Sequence, residues 1–143
     1  MAKLQKTITI SAPPEKVFTF ISQPTNLPTI WPSMKEVRDL SPSPAGGFNF
    51  NWTYQMAGMR FEGTTETRET ILNKHILTKT TKGIDSTFNW TFQAEGGGTK
   101  LTLDIEYIVP VPLLGKLAEA IIVKQNEKEA DALLSNLKAK MEA

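Results

Sequence analysis

Hydrophobic and polar positions alternate with a period of two at the start of this chain, shift briefly to a helical period, return to two, and end helical. In the opening stretch, KLQKTITIS, Leu4, Ile8 and Ile10 share one parity and Gln5, Thr7 and Thr9 the other. That is a strand with one buried face. SAPPEKVFTFIS then places Val17, Phe18 and Ile21 at helical spacing. Ser11 can cap it, Pro13 and Pro14 suit its first turn, and Pro24 ends it. TNLPTIWPS predicts a second brief helix between Pro28 and Pro32, with Leu27, Ile30 and Trp31 as its apolar side.

From Met34 the period of two returns. MKEVRDL predicts an edge strand, and SPSPAGG a loop. Phe48, Phe50, Trp52, Tyr54 and Met56 then occupy alternate positions, with Asn49, Asn51, Thr53 and Gln55 between them, so large apolar groups line one face and polar ones the other. The returning strand, RFEGTTETRETIL, puts Arg60, Glu62, Glu66 and Arg68 toward water. Phe61, Gly63, Thr65, Thr67, Glu69 and Ile71 fall on the opposite, inward parity. NK makes a turn that includes His75 at its edge, and HILTKTT a further strand. Next come Phe88, Trp90 and Phe92 on one parity, the turn EGGG, and a last strand with Leu101, Leu103, Ile105, Tyr107 and Val109 inward. PVP breaks that strand. From Leu113 onward, Leu113, Leu114, Leu117, Ile121, Ile122, Leu133, Leu134, Leu137 and Met141 form one helical stripe. A helix of about 30 residues, roughly 45 Å long, is unstable unless something covers that stripe.

The order is strand, two short helices, six strands, one long helix. Strands joined by short turns form an antiparallel meander. The expected fold is α+β: a curved seven-stranded antiparallel sheet around a long C-terminal helix, in one domain over residues 1–143.

Two lines nearly repeat: FNWTYQMAG from Phe50 and FNWTFQAEG from Phe88. A nine-residue match is too short for a repeated folding unit. It fits two strands with the same task, rings inward and polar groups outward. Tightly packed core is the plain explanation of such rings. Yet buried Trp and Tyr need hydrogen-bond partners, and Thr65, Thr67 and Glu69 share the inward parity, which suits an apolar cleft with a few polar groups.

Composition narrows the options. Sixteen basic against fifteen acidic residues give a net charge of +1, without the field that gathers nucleic acid. Cysteine is absent and His75 is the one histidine, so neither a thiolate nucleophile nor a Cys- or His-rich metal site can be built. No cofactor motif occurs; EGGG lies between strands and is a turn. The absence of a signal-peptide pattern or a membrane-spanning run leads to the expectation of a cytoplasmic protein without stable membrane insertion.

The element order, together with PPEKVFTFISQPTNLPTIWPSMKEV near the start, resembles the helix-grip superfamily: START lipid-transfer domains, birch-pollen-allergen proteins and polyketide cyclase/dehydrase-like proteins. Resemblance to the last branch rests on a proline-led helix with a V-F pair followed by N-L-P-x-x-W-P. It implies an apolar cavity between the concave sheet and the long helix. The candidate lining comprises Phe50, Trp52, Tyr54, Phe61, Thr65, Thr67, Glu69, Phe88, Trp90, Phe92, Leu103, Ile105 and Tyr107 from the sheet, with Leu117 and Ile121 from the helix.

The leading expectation is a binder or carrier of a hydrophobic small molecule such as a lipid, quinone or polyketide-like ring. The alternatives are a cyclase or dehydratase using Glu69 and Tyr107, or a protein-interaction module. A strand bulge returning Glu69 to solvent competes with its catalytic role. PVPLLGK reads as an ordinary helix start, with a lid or a transient membrane contact as the other options.

Overall fold

Each change of period marks an element boundary in the computed structural model, which describes residues 2–56, 58–109 and 115–143, with side chains for all of these but 115–118. Strand β1 (Ala2–Ile10) leads to α1 (Pro14–Ile21), a 3-10 turn (Pro24–Asn26) and α2 (Leu27–Ile30). Six strands follow: β2 (Met34–Pro42), β3 (Phe48–Met56), β4 (Met59–Ile71), β5 (His75–Lys82), β6 (Ser86–Glu95) and β7 (Gly98–Tyr107). The chain closes with α3 (Gly115–Glu142). The sheet has seven strands in the order β1-β7-β6-β5-β4-β3-β2, every pairing antiparallel. This is the helix-grip fold: a curved meander whose first strand returns to the far edge, with α3 lying over it.

Where the sheet meets α1 and the end of α3 it is packed solid. Ile10, Val17, Leu101, Leu103, Leu133 and Leu137 are almost wholly buried there. Polar contacts hold the same end. Lys138 Nζ donates to the Thr9 carbonyl and to Glu142 Oε2, each at 2.7 Å, and the Ser11 N–H donates to Glu142 Oε2 at 2.7 Å. Lys16 Nζ caps α3 through the Met141 carbonyl at 2.9 Å.

The expected helical stripe needs one correction. Ile122, Leu133, Leu134, Leu137 and Met141 are buried, but Ile121 is 57% exposed. Ile122 turns to the sheet, and Ile121, about 100° further round the helix, falls on the solvent side. The Leu113, Leu114 and Leu117 side chains and most of PVPLLGK lie outside the described residues.

A second correction concerns β4. The register passes from Thr67↔Thr78 to Glu69↔Leu77, leaving Arg68 as an extra residue. Such a bulge reverses the parity beyond it. Glu69 therefore faces outward and Thr70 inward. His75 opens β5 instead of sitting in a turn; Leu72, Asn73 and Lys74 make that turn.

Candidate functional site

Beyond the packed end, the concave face and α3 separate around a cavity of about 290 Å³. Its cause is visible on the helix. Among its described side chains, α3 faces the hollow with Asn126, Glu129 and Ala130, which are short or polar, and reaches a long apolar residue only at Leu133, where the packed end begins. The packed end instead receives Leu134, Leu137 and Met141.

The sheet supplies rings. Phe50, Trp52 and Tyr54 of β3 and Phe88 and Trp90 of β6 line the cavity. Trp31, just after α2, spans the two strands. Its ring centroid lies 5.6 Å from that of Tyr54 and 5.3 Å from that of Phe88. Trp52 lies close over Gly63, where an added Cβ would come within 2.3 Å of both the indole and the Lys82 carbonyl. Glycine is required there for close approach, not for its backbone angles.

A row of hydroxyls crosses this apolar lining. Pairing places Thr65 beside Thr80, and Ser86 beside Tyr107. Trp52 Nε1 donates to Thr65 Oγ1 at 2.8 Å, the Thr65 and Thr80 oxygens lie 3.0 Å apart, and Ser86 Oγ donates to Thr80 Oγ1 at 3.0 Å. Burial raises the Tyr107 phenol above its ordinary pKa, with Asn126 partly offsetting this. Burial, reinforced by the Glu129 carboxylate, raises Tyr54 still further. Trp31 and Ser33 are near enough to the Tyr54 phenol to offset part of that, yet Trp31 Nε1 completes no well-formed hydrogen bond among the described residues.

Among the other expected residues, Thr65, Thr67, Ile105 and Tyr107 lie on the wall. Phe61 is half-buried away from it, at the cross-strand partner position of Tyr54. Phe92 and Leu103 are buried in packing beside the cavity; Phe92 meets Phe18 edge-on at 5.4 Å. Glu69 is excluded by the bulge. Its side chain is 51% exposed and lies 2.8 Å from His75 Nδ1 on the convex face, where His75 Nε2 also meets Asn89 Oδ1. Glu69 and Tyr107 are therefore on opposite sides of the sheet and cannot act together on one molecule.

Trp31, Thr70, Thr80, Ser86, Asn126 and Glu129 reach the wall without having been expected. For Thr80 and Ser86 the signal was present as strand parity. For Asn126 and Glu129 it was their i, i+4 and i, i+7 spacing from Ile122.

These features define a helix-grip protein with a ring-lined hollow between sheet and helix. The family model described as polyketide cyclase / dehydrase and lipid transport matches residues 1–142, and the chain belongs to that family. No curated protein sequence matches. Among solved structures, the aromatase/cyclase Zhui from a Streptomyces species superposes with a TM-score of 0.85 at 15% identity, over 99% of this chain and 93% of that one. A START superfamily protein from Mycobacterium smegmatis gives 0.82 at 19% identity, over 98% and 97%. TTHA0849 from Thermus thermophilus gives 0.76 at 23% identity, again over 98% and 97%. At such identities the likeness is one of fold.

Among the described residues, no helix is long and apolar enough to cross a membrane, and no three His, Asp or Glu side chains gather as metal ligands.

Proposed function

We propose that this protein binds and carries a hydrophobic small molecule in the cavity between the sheet and α3. The observation that carries the reading is the hollow itself, lined by all three tryptophans of the chain. Folding normally fills such space, since unfilled volume forfeits contacts on every lining atom. A ligand would recover them, at about 25 cal/mol per Å² of apolar surface removed from water.

Native mass spectrometry of the freshly purified protein tests this. The expected result is an added mass that dissociates on activation and extracts into organic solvent. A bare chain that also takes up no apolar compound on addition contradicts it.

One observation favours a second reading, catalysis on the bound molecule. Glu129 brings a carboxylate to the wall near the Tyr54 phenol, a pairing that suits proton transfer to a ring substrate in a dry site. Under that reading Glu129→Gln abolishes turnover of a ring-closing substrate while uptake persists. Under the carrier reading no turnover exists to be lost.

A further inference from the structure

Not every polar group on the cavity wall has a partner, and one of those without can only donate. Trp52 Nε1–H and the hydroxyls of Thr65, Thr80 and Ser86 bring four hydrogens to a chain of three hydrogen bonds. Trp52 can only donate, and Ser86 donates to Thr80. The bond between Thr65 and Thr80 runs in one direction or the other. Whichever donates, the hydroxyl of its partner keeps a hydrogen without an acceptor in the chain. Trp31 Nε1–H, which also can only donate, is buried without a partner among the described residues, and so is Thr70 Oγ1. Both line the same cavity. Buried donors left unmade are costly, and rare in folded proteins. The hydroxyls keep lone pairs and can answer a ligand in either role, but the Trp31 indole N–H can be answered only by an acceptor.

Charge narrows the class. The Glu129 carboxylate is on the wall, with Oε1 accepting from the Ser33 N–H at 3.0 Å. Among the described residues, no Lys or Arg lines the cavity to offset it. An anionic ligand would sit beside that carboxylate without a counter-charge, an arrangement that selects against it. Trp31, Phe88 and Trp90 line the hollow as a run of rings tilted by 42° and 32° to one another, against which a flat aromatic partner can pack edge-on or offset.

Resting on the reading of the cavity as a ligand site, we infer that the ligand is a neutral, flat molecule carrying at least one carbonyl-type acceptor oxygen. That oxygen is read by the surplus donors of the Thr65–Thr80 pair and of Trp31. These residues set specificity; the rings supply bulk affinity.

Three compounds of one skeleton separate the possibilities: 9-fluorenone, fluorene and fluorene-9-carboxylate. Equilibrium dialysis against the intact protein gives the dissociation constant of each. The inference predicts that fluorenone binds about tenfold more tightly than fluorene, the worth of one hydrogen bond, and that the carboxylate binds most weakly. In the Trp31→Phe/Thr80→Val variant the ratio of fluorenone to fluorene affinity falls to about twofold or less. The wild-type comparison stands alone if that variant does not fold. Equal affinity for fluorenone and fluorene overturns the inference while leaving the carrier reading intact, because water then answers the donors. Tightest binding of the carboxylate also overturns it. Binding of none of the three overturns the carrier reading and this inference with it.

Discussion

The same line of residues is written on β3 and on β6, but the two strands run in opposite directions across the sheet. Reading from Phe50 to Tyr54 moves away from the packed end; reading from Phe88 to Phe92 moves into it. The third ring of each line therefore meets a different environment. Tyr54 lies near Ser33 and Glu129, where a phenol finds polar company. Phe92 meets the edge of Phe18 and is buried, where a ring without a hydroxyl needs no hydrogen-bond partner. The one aromatic difference between the lines, Tyr against Phe, falls where the hollow ends on one strand and the solid core begins on the other. Strand direction converts a repeated sequence into two unlike sites.

The sharpest way to break this comparison is to truncate a ring at each end. Phe92→Ala should lower unfolding free energy by about 3–5 kcal/mol, as for a ring removed from close packing. Phe88→Ala, which enlarges space that already exists, should cost about 1–2 kcal/mol in urea unfolding. Equal costs would mean that no hollow separates the two positions.

Gly63→Ala comes next. It drives a methyl group toward the Trp52 ring and the Lys82 carbonyl at once, with an expected loss of about 1–3 kcal/mol and a lowered Tm. A neutral result would show that Trp52 is not held against β4.

The two tyrosines sharpen the comparison through pH. Both have pKa values raised above the ordinary 10.0 when folded, Tyr54 by more, and burial is the main cause for each. The folded state therefore holds protons that the unfolded state releases above pH ~10. Stability is fully present below that pH and declines as pH rises above it. Phenolate absorbance should stay low in the folded protein at pH ~10 and appear on unfolding. Tyr54→Phe should change stability little at neutral pH and flatten the alkaline decline.

The smallest effect belongs to Glu69→Gln, outside the sheet. Stability should move by no more than about 0.5 kcal/mol, and ligand affinity not at all. A loss of binding would return Glu69 to the site.

The fold was legible because its signals are periodic. Alternation fixed the strands, and the change to helical spacing fixed both the short helices and α3. The site was legible only where parity ran unbroken, as along β3. In TTETRETIL both parities are polar, so no hydrophobic pattern registers the extra residue at Arg68, and Glu69 and Thr70 exchange faces. Asn126 and Glu129 escaped for another reason. An amphipathic reading assigns polar side chains to water, whereas at a cavity wall a helix can turn them inward. Trp31 reads in sequence as part of the apolar side of α2, and nothing in one dimension shows that its indole bridges β3 and β6.

The central claim is that the rings of β3 and β6 face a ligand and not simply each other. The three indole N–H resonances of the 15N-labelled protein report on it directly, since Trp31, Trp52 and Trp90 all border the hollow. On titration with 9-fluorenone, the Trp31 and Trp52 indole signals should shift and saturate, while the Phe92 and Leu137 amides stay in place. Indole signals that stay unmoved, or shifts confined to the convex face around His75 and Asn89, would contradict the account.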